Sequence, residues 1–263
     1  MSDIRDVREM GGLHAPPHRG GAHRLEDGLV ILAKYPRPGM VKTRLGATIG
    51  LDRAAQLYRA FLVDLRDRFD VAQHAGDYRL HWACAPDAAS LAPLLGPRAR
   101  GFTQQGSDLG ERLFNACLEM RTLGYQRLVI LGSDAPHLPA SAVARAFALL
   151  NRYDAVLGPA EDGGYYLAGL HLRPEPPDLF RGIHMSTPGV LRDTLRRAAT
   201  LGHSIALLEP AFDIDEAPEL ARLAAALRAG TAVAPHTQRA LARVLSGDGS
   251  PERALALRTP ARW

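Results

Sequence analysis

The sequence predicts an α/β fold with a mainly parallel sheet. Three observations point there. Short apolar runs bounded by turn residues recur along the chain, as interior parallel strands do. Segments of helical period separate these runs. Polar, Gly/Pro-rich segments follow the runs, which is where ligands bind at the carboxyl ends of strands in doubly wound sheets.

The elements follow in order. Leu29–Ala33 reads as a buried strand, running into a loop with two prolines and a glycine. A long helix is expected next, with Asp52 as N-cap and Ala54, Leu57, Tyr58, Phe61, Leu62, Leu65 and Phe69 on its inner face. Tyr78–Ala85 reads as a strand with Leu80, Trp82 and Cys84 on one face, and Ala88–Leu95 as a short helix. Asp108, with Glu111 three residues on, opens a helix whose stripe is Leu109, Leu113, Ala116, Cys117 and Met120. Arg127–Leu131 is a strand leading into Gly132-Ser133-Asp134-Ala135-Pro136, and Ala142–Leu150 is a helix. Ala155–Leu157 and Tyr165–Leu170 read as strands around the loop Gly158–Gly164. Thr187-Pro188 is a cap-then-first-turn pair for a helix to about Leu201. Ile205–Leu208 is a strand and Phe212–Asp215 a short extended piece. A helix with Pro218 in its first turn and Gly230 past its end follows, then a last helix near Gln238–Leu245.

Composition sets the broad class. Of 263 residues, 46% are AVILMFWYC and 23% are charged, enough apolar side chain for a core. No apolar run is long enough to span a bilayer, and the first 24 residues hold no apolar segment of a secretory signal. Cys84 and Cys117 fit neither a disulfide framework nor a metal-binding spacing, so cytoplasm is the expected compartment. A net charge of +4 suits an anionic small molecule, and no aromatic-interleaved basic patch signals nucleic acid. The expected organisation is a disordered tail at 1–26, one domain at 27–230, and a helix with tail at 231–263.

Four segments carry candidate chemistry. In Leu29–Leu45, Arg37, Lys42 and Arg44 surround Gly39. This is either a phosphate cradle or an ordinary basic surface loop. Val41 stands where a Walker motif requires Gly, and no G-x-G-x-x-G follows the strand, so P-loop and dinucleotide sites are excluded. In GSDAP, Asp134 ends a buried strand and either aims a carboxylate at a hard cation or caps a turn. In FDIDE, Asp213 and Asp215 share a side if extended, and Asp215 either joins such an ion or caps the next helix. In EDGGYY, Glu161, Asp162, Gly163, Gly164 and Tyr165 form either a surface for a sugar or base or a hairpin-like turn. His137 and His184 lie near these segments, but no metal-binding His spacing or nucleophile elbow is present.

Taken together, LAKYPRPGMVKTRL, QQGSDLGERL, GSDAPHLP, PAEDGGYYLAGL, LFRGIHMSTPGVLRDTL and DIDEAPEL resemble a bacterial glycosyltransferase-like family of the nucleotide-diphospho-sugar transferase superfamily. Its members are named arsenosugar-biosynthesis-type glycosyltransferases or domains of unknown function. The resemblance covers about residues 28–228. More distantly, the first and last motifs resemble 2-phospho-lactate guanylyltransferases and molybdenum-cofactor nucleotidyltransferases.

The resemblance implies a GT-A fold, an α/β/α sandwich with a mixed sheet. It implies that Ala33, Lys34, Arg37, Gly39, Lys42 and Arg44 hold nucleotide phosphates, with Lys42, Arg44 and Asp134 catalytic. It implies Mg²⁺, replaceable by Mn²⁺, on Asp134 and Asp215, with Asp213 as second choice. Glu161, Asp162, Gly163, Gly164 and Tyr165 line the acceptor or sugar side. Two positions depart from the family pattern: Glu216-Ala217 replaces Thr-Pro with Pro218 shifted by one, and Met185 stands where Trp is expected. The implied partners are a nucleotide-sugar or NTP and a small-molecule acceptor. The expected activity is Mg²⁺-dependent glycosyl transfer. The alternatives are nucleotidyl transfer with pyrophosphate release, and non-catalytic nucleotide binding.

Overall fold

A computed structural model describes residues 27–75, 78–185 and 187–246; the expected tail at 1–26 and the segment after 246 lie outside them. The strands are β1 (Asp27–Lys34), β2 (Tyr78–Ala85), β3 (Arg100–Thr103), β4 (Arg127–Leu131), β5 (Ala155–Pro159), β6 (Tyr165–His171) and β7 (Ile205–Leu207). The helices are α1 (Thr43–Ile49), α2 (Leu51–Ala75), α3 (Ala88–Leu95), α4 (Leu109–Thr122), α5 (Ala140–Leu149), α6 (Val190–Thr200), α7 (Ala217–Ala229) and α8 (Pro235–Ser246). Seven strands form one sheet in the order β3-β2-β1-β4-β6-β5-β7. All pairs are parallel except those of β6, which runs against both β4 and β5. The sheet is therefore mixed and mainly parallel, as expected.

Helices cover both faces. Alternate β1 residues Leu29, Ile31 and Ala33 face a core shared with α2, α3, α5, α7 and α8. Val30 faces a second core built with α4, including Leu113, Ala116, Cys117 and Met120. Burial on both faces explains why β1 reads as a continuous apolar run rather than an alternating one. Across β1 and β4, Asp27 takes two hydrogen bonds from the Arg127 guanidinium, at 2.6 and 2.7 Å, and so fixes the register at the amino end.

Several elements depart from expectation. The strand β3 was not legible: RGFT is four residues on the sheet edge, half-exposed, with no apolar run. The basic loop also hides α1, which starts straight after Lys42. Helix α2 begins at Leu51, so Asp52 sits in its first turn rather than at its cap. Leu109 is exposed; it opens α4, and Gly110 takes the inward place because the Phe180 carbonyl packs where a Cβ would be. Helix α6 starts at Val190, after Thr187-Pro188, because this turn is tied to the β5–β6 turn by Leu191 N–H donating to the Gly163 carbonyl at 3.0 Å. Asp108 does cap α4, accepting from Glu111 N–H at 2.8 Å, while Glu111 reaches back to Ser107 rather than to Asp108.

Helix α8 packs on α2. The buried Asp64 carboxylate of α2 accepts from His236 N–H, Thr237 N–H and the Thr237 hydroxyl at 2.9, 2.7 and 2.6 Å. A helix start is thus capped from a distant element rather than from its own sequence. Among the described residues no helix is long and apolar enough to cross a membrane.

Candidate active site

Strand order decides where a ligand can enter. From β1 the chain builds β2 and β3 to one side, then returns to lay β4 on the other. The order reverses between β1 and β4, so their carboxyl ends frame a crevice at the switch point. The loops after β1, β4, β5 and β7 all emerge on this rim. Because β6 is reversed, its start at Tyr165 lies there too. The backbone ties two of the loops directly: Ile214 N–H donates to the Asp134 carbonyl at 3.0 Å.

Lys42 occupies the middle of this rim. Its ammonium forms an ion pair with Asp134 and another with Asp215 at 2.8 Å, and its side chain is 3% exposed. The residue is the N-cap of α1 with φ 47° and ψ 45°, the only non-glycine in the left-handed region among the described residues. Its side chain makes no capping bond to α1. A left-handed non-glycine costs about 1–2 kcal/mol, and such strain persists where surrounding structure over-determines it. The preceding Val41 is buried in the core, which fits the exclusion of a Walker loop.

The charges respond to one another. Burial works against the Lys42 charge, but Asp134 and Asp215 override it and raise its pKa above the usual value. Burial likewise works against the Asp215 charge, and Lys42 and then Arg44 hold its pKa below the usual value. Asp213 goes the other way: burial first, then Asp162, Asp134 and Asp215, push it up to about 7. The rim thus concentrates negative charge around a single buried cation.

The cap readings of the acidic segments do not hold. Asp215 is not the cap of α7: Glu216 holds that position, and its N–H donates to Glu219 at 2.9 Å. The departure from Thr-Pro at 216–217 therefore leaves the helix capped by a different pair. Asp134 turns its side chain onto Lys42 rather than onto a local turn amide.

The remaining predicted residues fall into two groups. Lys34, Arg37, Gly39 and Arg44 are exposed on the rim, and Arg44 lies 3.5 Å from Asp215 and 3.7 Å from Glu216. Ala33 is buried; its carbonyl accepts from Gln104, which also binds the Ala83 carbonyl and so ties the ends of β1 and β2. On the far side, Asp162 accepts from Gly164 N–H at 2.9 Å within the β5–β6 turn, and its charge is felt by Asp213. Gly163 has φ 91°, and a Cβ there would collide with the Pro188 carbonyl. Glu161 instead pairs with Arg222 of α7 at 2.6 Å. Tyr165 packs against the second core beside Phe180, its hydroxyl 4.0 Å from the Met185 sulfur. Glu161 and Tyr165 are thus engaged away from the Lys42 cluster.

Sequence reasoning missed Tyr58 and Ser133 as site residues. The Tyr58 hydroxyl accepts from Lys34 N–H at 3.1 Å and lies 2.7 Å from Ser133 Oγ, pinning the end of β1 to the end of β4. Helical spacing placed Tyr58 in the core correctly, but nothing in the sequence marks where its hydroxyl reaches. His137 packs at a tilt against Phe212 with ring centroids 4.3 Å apart, and burial, then Arg68 and Arg222, lower its pKa to about 4.

A divalent ion fits the chemistry of this donor set. Asp134 and Asp215 offer hard oxygens facing one point, beside Asp213, whose pKa burial and then the neighbouring carboxylates push up to about 7. Among the described residues no three His, Cys, Asp or Glu side chains form a ready-made ligand cage. Mg²⁺ does not need one, since it takes one or two carboxylates and completes its shell with water and substrate phosphate.

Comparison with known proteins agrees with the fold. The model of a family described as "Uncharacterized protein conserved in bacteria (DUF2064)" matches residues 69–187. A crystal structure from Desulfovibrio desulfuricans G20, provisionally described as a nucleotide-diphospho-sugar transferase, is 34% identical with a TM-score of 0.75. The match covers 83% of this chain and 94% of that one. The 4-diphosphocytidyl-2C-methyl-D-erythritol synthase of Anaerococcus prevotii DSM 20548 is 7% identical over 77% of this chain and 98% of that one, with a TM-score of 0.49. A CMP:2-keto-3-deoxy-manno-octonic acid synthetase bound to CTP is 14% identical over 78% and 99%, with a TM-score of 0.47. These last two are too remote to carry an argument. No curated protein matches the chain.

Proposed function

This chain belongs to the GT-A-like family of nucleotide-diphospho-sugar transferase relatives, and from that premise we propose that it is a divalent-metal-dependent glycosyltransferase acting on a nucleotide-sugar. The observation that carries the reading is the convergence of Asp134 and Asp215, from separate loops, on one point at the switch crevice. In the reaction the bond between the sugar's anomeric carbon and the β-phosphate oxygen breaks, and an acceptor oxygen bonds to that carbon. The acceptor proton passes to solvent or a base, and the nucleoside diphosphate leaves. A Mg²⁺ or Mn²⁺ ion on Asp134 and Asp215 would supply charge neutralisation to that leaving group.

The chain's own residues do the rest. Lys34, Arg37 and Arg44 stand exposed on the same rim and meet the phosphates as point or bidentate cations. Tyr58 and Ser133 hold the crevice walls at fixed separation. The β5–β6 turn, with Asp162, Gly163 and Gly164, borders the acceptor or sugar side.

A second reading uses the same groups for nucleotidyl transfer. The three exposed cations favour it, because a triphosphate carries more charge than a nucleotide-sugar's diphosphate. A panel of NTPs and nucleotide-sugars with Mg²⁺ or Mn²⁺ tests both, with nucleoside diphosphate and pyrophosphate scored separately. Nucleoside diphosphate released from a nucleotide-sugar, and lost in Asp134→Asn, is the expected result. Pyrophosphate from an NTP overturns it in favour of the second reading. No turnover together with a nucleotide-induced thermal shift leaves a binding protein.

A further inference from the structure

Lys42 already occupies the point at which the two carboxylates meet. We infer that its ammonium is a resident counter-ion that closes Asp134 and Asp215 to free divalent cations, and that metal enters only together with a phosphate ligand that draws Lys42 away. The inference rests on the metal-dependent reading above and concerns the order in which that site loads.

Four observations support it. The ammonium touches a carboxylate oxygen of both residues, so a metal ion and the ammonium cannot share the position. The Lys42 side chain is 3% exposed while Asp134 and Asp215 are 45% and 37% exposed, so an ion arriving from solvent meets their outer oxygens and not the shared inner position that the ammonium fills. One ammonium between two carboxylates, with Arg44 at 3.5 Å from Asp215, already offsets most of the charge that would attract an ion. Moving Lys42 off the carboxylates breaks both of its ion pairs, and an incoming anion on the same rim offsets that loss. A di- or triphosphate arriving at the rim supplies that anion beside Lys34, Arg37 and Arg44.

The local backbone suits such a move. Lys42 is the hinge between the Pro36–Gly39 loop and α1, with Gly39 at φ 76°. Its four-carbon stem and rotatable ammonium can change partner without the helix moving. Its side-chain contacts are with two loop carboxylates and the Phe61 ring of α2, not with α1, whose first backbone bond, Gly46 N–H to the Lys42 carbonyl, does not involve the side chain.

Water-proton relaxation enhancement, which rises only when Mn²⁺ tumbles with the protein, tests the inference on the whole chain. The probes are Mn²⁺ alone and Mn²⁺ with a mixture of ADP, GDP, CDP and UDP. The unmodified protein is expected to bind Mn²⁺ alone at least tenfold more weakly than Lys42→Met, and to bind it once nucleotide is added. Lys42→Met combined with Asp134→Asn should lose the gain. A thermal melt gives an independent readout: Mn²⁺ alone should raise the Tm of Lys42→Met and leave that of the unmodified protein in place. Should Lys42→Met not fold, the unmodified protein with and without nucleotide still decides. If the unmodified protein binds Mn²⁺ equally well without nucleotide, the inference is overturned while the metal-dependent reading stands. If Mn²⁺ binds no form of the protein under any condition, both fall.

Discussion

Replacing Tyr58 with Phe removes one oxygen atom from the seam between β1 and β4. The ring stays and no cavity of consequence opens, so the effect isolates the hydroxyl. That hydroxyl is buried, bonded to Lys34 N–H at 3.1 Å and to Ser133 Oγ at 2.7 Å. Losing it leaves a backbone donor and a buried serine hydroxyl without their partner. An orphaned buried polar group costs about 1–3 kcal/mol. The serine hydroxyl can rotate, so the two together should cost about 2–3 kcal/mol. Urea unfolding reads this directly. With a slope of about 2–3 kcal/mol/M, the midpoint should fall by about 1 M at unchanged slope. Exchange of the Lys34 amide proton should quicken, because the seam opens locally more often. A loss under about 0.5 kcal/mol with unaltered Lys34 exchange would refute the claim that Tyr58 pins the crevice.

Three further outcomes are expected. His81 is buried against Tyr125, and burial, then the Arg100 charge, lower its pKa to about 4. The unfolded chain therefore binds its proton near pH 6.5 while the native state does not. The His81 contribution is fully present above 6.5 and is lost as pH falls toward 4, at up to about 1.4 kcal/mol per pH unit; the difference in acid unfolding between the unmodified protein and His81→Gln, by circular dichroism, should show that slope. Arg127→Met strips the nearly buried Asp27 of its bidentate partner and should cost about 3 kcal/mol in chemical denaturation. Gly163→Ala puts a Cβ into the Pro188 carbonyl at a positive φ, whereas Gly202→Ala meets open space at a similar φ; the first should lower Tm clearly more than the second, and equal losses would rule out a close packing role for Gly163.

Much of this architecture was legible because it is written in local patterns. Buried parallel strands declare themselves as apolar runs, and the inner face of α2 matches its spacing residue for residue. What the sequence hid depends on neighbours far along the chain. The strand β3 exists because the edge of β2 offers it a ladder, not because RGFT prefers extension. Asp134 and Asp215 were readable as acids on rim loops, but not as partners of Lys42, since that pairing is a property of strand order. Likewise Asp215 looked like a helix cap until Glu216 and Glu219 were seen to fill that role. Tyr165 looked ligand-facing because it adjoins two glycines, yet strand alternation turns its ring to the core side.

The reversed strand β6 has a consequence for how such proteins diversify. A parallel strand in its place would need a long crossover, and the segment on this side of the rim would then be a free connection. Instead the chain turns back within Ala160–Gly164, clasped at both ends by the sheet and from above by Leu191. Such a turn is a poor lid but a good graft point. Residues inserted at its tip would project over the crevice while the flanking ladder kept its register. One hairpin can therefore lengthen while the loops after β1 and β4 keep their places on the rim.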